Sequence, residues 1–225
     1  MILARSSALA VAALMAGIGV ASATTITTSA SYGVGGTPQL TDWSQVLTVN
    51  PFNTALGTLT GVAITLDSSG AFSGTVKNTS ATPQNFKVTE DVNLSGTSSN
   101  AGISAIIGTL MQDLVVTQTY TALGSGTSAP FGPFGPTSTA SATSTNFAAF
   151  ESGPISTTIT TATGTTVFGG GGNITNSINT KAGATLTVVY TYTPAVVPPP
   201  VPEPASLMLM LAGMAGTLLL RRRSV

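Results

Sequence analysis

The chain has 225 residues, of which 6% are charged; seven basic and seven acidic side chains cancel, and there is no cysteine and no histidine. This composition excludes a disulfide framework, Cys/His zinc sites, and Ser-His-Asp or Cys-His catalysis. It also excludes an electrostatic footprint for nucleic acid: between the ends, only Lys77, Lys87 and Lys181 stand against Asp42, Asp67, Glu90, Asp91, Asp113 and Glu151.

The N-terminus, "MILARSSALAVAALMAGIGVASATT", has a positive start at Arg5, an apolar stretch from Ala8 to Val20 and a small-x-small site at Ala21-Ser22-Ala23. This is the layout of a secretory signal peptide over residues 1–23, cleaved after Ala23. The alternative is a retained anchor helix. A secreted chain without disulfides needs a core that stands alone, and residues 24–194 are long enough to supply one.

About a third of residues 24–194 are Ser or Thr, so hydroxyls rather than charges must solvate this region. Its apolar residues alternate with period two, which predicts strands. In "TDWSQVLTV", Trp43, Leu47 and Val49 share a face. Val62, Ile64 and Leu66 do so next, and then Phe72, Gly74 and Val76. Ser68-Ser69-Gly70 between the last two groups reads as a turn, which predicts a hairpin. Phe86, Val88, Val92 and Leu94 form another face, and Leu186, Val188, Tyr190 and Tyr192 a last one. "AGISAIIGTLMQDLVV" fits a short helix or a strand, and its period does not choose between them. The doubled Phe-Gly-Pro in "GSGTSAPFGPFGPTST" predicts a loop, as does "FGGGGN". "TTITT" begins at both Thr24 and Thr157, but a repeated five-mer of low complexity is not a repeat architecture. Many short strands with regular turns predict an all-β fold, a single antiparallel sandwich of jelly-roll type.

Beyond this domain, residues 195–204 are a Pro-rich spacer, extended at about 3.1 Å per residue, that holds the domain off the membrane. It ends in Pro202-Glu203-Pro204. Residues 205–225 are an apolar run closed by Arg221, Arg222 and Arg223. As a helix, Ala205 to Leu220 reaches roughly 24 Å, short of a hydrocarbon core of about 30 Å. The arginines set its C-terminal end on the cytoplasmic side, so the body of the chain lies outside. Prolines keep the backbone around Glu203 extended and accessible to a membrane processing enzyme.

This tail resembles the PEP-CTERM sorting signal of Gram-negative bacteria in all three parts: the Pro-Glu-Pro triplet, the apolar helix and the basic cluster. The resemblance implies recognition of Pro202, Glu203 and Pro204 by an exosortase. It also implies a precursor anchored in the inner membrane by its C-terminal helix, then a mature protein at the cell surface or outside the cell. The alternative is an ordinary single-pass anchor.

A second resemblance spans nearly all of the mature region. "LTDWSQVLTVNPFNTALGTLTGVAITL", "TNFAAFESGP" and "GGGNITNSINTKAGATLTVVYTYTP" look like the choice-of-anchor E domain of bacterial surface proteins. Its landmarks are Phe52 to Leu59, Ala148 to Phe150 and Tyr190 to Tyr192. Where that family has Phe-x-Gly-x-Gly, this chain reads Phe150-Glu151-Ser152-Gly153-Pro154. The resemblance implies surface display and supplies no catalytic residue.

Candidate chemistry is sparse, and nothing implies a cofactor. Glu90 falls on the apolar face of Phe86 and Val88, where a carboxylate suits glycoside chemistry if a second one stands near. The reading we prefer is a bulge or strand end that returns Glu90 to solvent. Asp42 and Asp67 suit a calcium site or, more simply, turns and caps. The Gly169–Gly172 run is read as a flexible hairpin loop rather than a phosphate cradle, because no Lys-Ser/Thr follows it. Trp43, Tyr32 and Phe131 form either a sugar platform or part of the core. Asn78, Asn93 and Asn173 head glycosylation sequons that a Ser/Thr-rich chain produces by chance. Ala212 and Gly216 make a small-xxx-small pair common in apolar segments.

These readings favour a non-enzymatic envelope or biofilm-matrix protein, with extracellular polysaccharide as a further contact. A carbohydrate-binding module of the matrix is the alternative, and a glycoside-active enzyme ranks third. The first check is the cleavage site: N-terminal sequencing of the exported protein is expected to begin at Thr24, and a chain that retains Met1 or Arg5 would refute export by a cleaved signal.

Overall fold

The computed structural model describes residues 22–34, 37–195, 210–212 and 214. The chain divides into two units, Met1–Pro194 and Ala195–Val225. In the second unit, residues 210–212 and 214 are helical and exposed. Among the described residues no helix is long and apolar enough to cross a membrane. The rest of the expected span over 205–225, and nearly all of the expected signal peptide, lie outside the described residues.

The first unit is all-β, as its alternation predicts. Its strands are β1 (Thr24–Tyr32), β2 (Gln39–Leu40), β3 (Ser44–Val49), β4 (Gly57–Asn78), β5 (Gln84–Ser98), β6 (Gln112–Leu123), β7 (Ser128–Phe134), β8 (Thr137–Ser144), β9 (Ile155–Gly169) and β10 (Ile174–Pro194). Two short helices, α1 (Ala101–Ile107) and α2 (Ala148–Glu151), interrupt them. Every pairing is antiparallel. The first sheet runs β1-β10-β4, with β8 and β7 end to end along the far side of β4 and β2 on β10. The second runs β3-β9-β5-β6. From β3 onward the chain crosses between sheets at every connection except β5–β6 and β7–β8, which is the winding of a jelly roll.

The two inner faces close on one apolar core. β10 contributes Ala182, Ala184, Leu186, Val188, Tyr190 and Tyr192; facing them are Val88, Val92 and Leu94 from β5 and Ile155 and Ile159 from β9. The intervening residues point outward and are mostly Ser and Thr, so hydroxyl pairs lace the outer surfaces. Thr65 and Ser141 approach to 3.0 Å, Thr48 and Ser156 to 3.1 Å, and Thr89 and Thr117 to 2.9 Å.

The expected hairpin at Ser68-Ser69-Gly70 does not form. β4 runs unbroken for 22 residues, with alternation continuous through Leu66, Ser68, Gly70 and Phe72. Ser68 points inward and bonds to the Oε1 of buried Gln112, whose Nε2 donates to the Leu66 carbonyl at 2.5 Å. With its hydroxyl satisfied, the serine is stable within the core layer.

The Phe-Gly-Pro segment is likewise a strand, not a loop. β7 lies at an edge and pairs along one side with β4, so its prolines need donate nothing to a further strand. Phe131 fills the core from it. The ambiguous "AGISAIIGTLMQDLVV" contains both elements: α1, capped by the Asn100 side chain on the Gly102 and Ile103 amides, followed by β6.

Gly169–Gly172 joins β9 of the second sheet to β10 of the first, and so is a crossover rather than a hairpin. Its φ values are 96°, 70°, 58° and 77°. Four consecutive left-handed residues demand glycine, and a Cβ at Gly170 would come within 2.3 Å of Ile174.

All residues of the core belong to the first unit, so a fragment spanning 24–194 is expected to fold alone. Phe72→Ala removes a fully buried ring from the C-terminal third of β4 and should lower its stability by about 3–5 kcal/mol. Urea denaturation followed by far-UV circular dichroism is the check, and a loss under about 1 kcal/mol would contradict this packing.

Candidate functional site

The residues singled out from the sequence fall into three groups. Pro202, Glu203, Pro204, Arg221, Arg222, Arg223 and Ala21 lie outside the described residues. Ala23 is exposed, directly before β1 opens at Thr24. Of the small-xxx-small pair, Ala212 is helical and exposed in the second unit and Gly216 lies outside the described residues; the rest sit in the sandwich, which separates most of them.

Trp43 and Phe131 are core residues, 8% and 1% exposed. Tyr32 meets Trp43 edge-on at 5.0 Å, and Trp43 Nε1 donates to the Ala182 carbonyl at 3.3 Å. They form no sugar platform. Asp42 accepts from the Thr163 amide at 3.0 Å and Asp67 from the Thr139 hydroxyl at 2.6 Å. The two serve different sheets, and the described residues hold no group of three or more potential metal ligands. Asn78 is fully buried, with its amide directed at the carbonyls of Thr82, Leu123 and Gly124, so its sequon is closed to modification.

Glu90 corrects the expectation that it returns to solvent. No bulge occurs beside it: β5 keeps register from Phe86 to Leu94 against β6, and Glu90 is 1% exposed. Thr165 Oγ1 donates to its Oε2 at 2.7 Å. On the same inner face of β9, the Thr157 and Thr163 hydroxyls are buried without a partner, while Thr165 itself is exposed. Burial raises the Glu90 carboxyl above its ordinary 4.5; the Thr165 bond works against this, and the neighbouring Asp91 charge adds to it. Asp91 alternates to the outer face, so the strand sets no second carboxylate beside Glu90 inside the core. Glycoside hydrolysis needs two carboxylates flanking a reachable bond, and Glu90 meets neither requirement.

Three stretches converge where β10 ends. The Phe52 ring lies 5.8 Å from Tyr190 and 5.2 Å from Tyr192, and its amide donates to the Phe150 carbonyl at 2.8 Å. Tyr190 donates its hydroxyl to the Asn50 carbonyl at 2.8 Å, and burial pushes its pKa up to about 12. Phe52, Phe150 and Tyr190 are thus joined in one packed knot with a structural role.

The opposite pole carries a feature the sequence reading missed. Phe168 is 74% exposed on the outer face of β9. It borders a cleft of about 250 Å3 lined by Asn85, Lys87, Thr119 and Thr121, with the stacked rings of Phe86 and Tyr120 behind it. Lys87 Nζ lies 5.8 Å from the Phe168 centroid. Alternation contains a signal for this: Val167 points inward, so Phe168 must point out.

Residues 200–223 match the PEP-CTERM protein-sorting motif. This match includes Pro202, Glu203, Pro204 and all three arginines, and it supports an exported surface protein sorted by an exosortase. No curated protein matches the chain. Among solved structures, a chain of infectious bursal disease virus, Gx strain, is 12% identical over 77% of this chain and 37% of its own length, with a TM-score of 0.20. A mud crab tombus-like virus chain is 11% identical over 88% and 95%, with a TM-score of 0.23. A Macrobrachium rosenbergii nodavirus chain is 9% identical over 90% and 62%, with a TM-score of 0.20. The present chain spans little more than a third of the first of these. At such TM-scores the likenesses carry no weight on fold or function.

Glu90 generates a pH prediction. Its folded carboxyl holds a proton more tightly than the unfolded one, so the folded state is favoured below the unfolded pKa, and that advantage is lost as pH rises through the folded pKa. Glu90→Gln keeps the acceptor for Thr165 and removes the charge. Relative to wild type, the variant's urea midpoint should rise progressively above pH 4.5 and stay higher at pH 7. Parallel midpoints across that range would mean that Glu90 is solvated.

Proposed function

We propose that the protein is displayed outside a Gram-negative cell and retained in the extracellular polysaccharide matrix by a non-catalytic β domain of choice-of-anchor E type. The observation that carries this reading is the sorting-motif match over residues 200–223. The convergence of Phe52, Phe150, Tyr190 and Tyr192 supports the domain assignment, because the landmark stretches of that family are the ones that pack together here.

The domain's geometry suits processing at both ends. Thr24, where β1 begins, pairs with Tyr192 near the end of β10. Removal of a leader and of a tail both occur at this pole, outside the sandwich core, so the mature domain keeps its full ladder. A surface rich in Ser and Thr offers hydrated polysaccharide many donors and acceptors. Each contact exchanges with water and yields on the order of 1 kcal/mol, so retention depends on many displayed copies acting together. The exposed ring at Phe168 favours a second reading, a carbohydrate-binding module with a defined site.

Intact mass of protein from the native host should show a chain that lacks both Met1 to Ala23 and the basic C-terminus. Glu203→Ala should leave the tail in place and the protein in the membrane fraction. A mature chain still ending at Val225, or normal sorting of the variant, would refute the processing. Incubation with the host polysaccharide should release no reducing ends; release abolished by an Asp or Glu substitution would make the protein an enzyme.

A further inference from the structure

On the outer face of the second sheet, three side chains form one cross-strand row. Lys87 stands opposite Phe168 on one side and Thr119 on the other. Neighbouring strands are about 4.8 Å apart, so the row spans roughly 10 Å, close to the length of two sugar rings. The next row inward is Thr117, Thr89 and Thr166, all hydroxyl-bearing. The row after it is Val115, Asp91 and Gly164, where the missing Cβ of Gly164 leaves room for the Asp91 carboxylate; a Cβ there would lie 2.6 Å from Asp91 Oδ1.

The Lys87 contact does not account for the exposed ring. A cation about 6 Å from an aromatic centroid at the surface is a weak contact, and Phe168 remains 74% exposed beside it. The ring stands at the mouth of the cleft with its stacked pair Phe86 and Tyr120, 4.8 Å apart at 20°. Tyr120 is held by its hydroxyl, which donates to the Pro130 carbonyl at 2.8 Å. Phe86 and Tyr120 thus close the cleft from the core side of the sheet, and Phe168 stands open in front. An aromatic face, a few fixed polar groups and one charge are what a small-ligand site presents.

Charge selects the ligand. Lys87 is one of three cations in residues 24–194, against six carboxylates, yet no carboxylate lines this cleft. We propose that the Phe168–Lys87–Thr119 row binds a uronate-bearing saccharide. A pyranose stacks on Phe168, its carboxylate meets Lys87, and its hydroxyls reach Thr119 and the threonine row behind. The chain of sugars runs across the strands, along the row, which keeps its anionic groups away from Asp91. This assignment rests on the matrix-retention reading and supplies its ligand class.

The test titrates the full chain, in detergent micelles, with a mannuronate hexamer and with a neutral cellohexaose. Wild type should bind the mannuronate more tightly, with affinity that falls as salt rises. Phe168→Ala should lose about tenfold or more, as loss of one stacking ring predicts, and Phe168→Tyr should stay within about twofold. Lys87→Met should weaken mannuronate binding and leave cellohexaose unchanged. Thr65→Val, on the outer face of the other sheet, should bind as wild type. Urea midpoints within error of wild type would assign these losses to the site.

Binding of neither hexamer by wild type, equal binding of both, or undiminished binding by Phe168→Ala would overturn the proposal. So would a dimer in sedimentation that dissociates in Phe168→Ala, because a second copy would then be the occupant. Retention of protein presented in many copies on beads, on the host's whole polysaccharide, separates the two claims. If wild type and Phe168→Ala are retained alike, this site falls and the matrix reading stands. If wild type is not retained, the matrix reading itself falls.

Discussion

The domain is organised around the ladder between β4 and β10. Every residue of β10 from Ile174 to Pro194 has a partner on β4, with a single register shift at Thr191/Tyr192. At about 3.3 Å per residue this is a seam roughly 70 Å long. With no disulfide and few charges, the described residues hold no other long-range ladder as long as this one. Register is the quantity the ladder fixes. A slip by one residue would turn Leu186, Val188 and Tyr190 outward and bring Thr185, Thr187 and Val189 into the core. The core face of the first sheet is set by this seam. The crossovers that leave β4 at Asn78 and enter β10 at Ile174 then align the second sheet over it.

The alternation that defines this seam is plain in the sequence, and from it the all-β class and most core positions follow directly. What misled was local chemistry read apart from parity. Ser68-Ser69-Gly70 has turn composition, yet Leu66, Ser68, Gly70 and Phe72 share one phase, and a strand continuing through them breaks nothing. The same preference for composition made a loop of the Phe-Gly-Pro segment, whose prolines are harmless at a sheet edge. For Glu90, parity placed the side chain inside and the cost of a buried charge argued against it. Parity prevailed because the carboxyl receives the Thr165 hydroxyl and its pKa rises towards neutrality of charge. Sorting chemistry was legible for a different reason: a triplet, an apolar run and a basic cluster within 24 residues form a linear signal that needs no fold to assemble it.

Phe168 was not legible because its meaning depends on three strands at once. Its neighbours Lys87 and Thr119 lie 81 and 49 residues away in sequence and meet it only through the registers of β5 with β9 and β6. Single exposed aromatics are ordinary on protein surfaces, and nothing in "TTVFGG" distinguishes this one. Cross-strand rows are where a sheet places side chains side by side, and they exist only once pairing is known.

The positions of the two ends and of this row form the last link. β1 starts and β10 finishes at one pole, where Thr24 and Tyr192 pair. Phe168 pairs with Lys87 at the other pole, close to the Gly169–Gly172 crossover into β10. The 21-residue ladder of β10 keeps these poles apart, so the segments that flank the first pole lie at the far end of the domain from the Phe168 row. Burial of Tyr190 and its bond to Asn50 secure the first pole from within the domain. The glycines at the other pole close the fold through four consecutive left-handed residues. Length thus sets the chain ends apart from the Phe168 row, and on the function proposed above a single domain serves sorting and saccharide contact without a moving part.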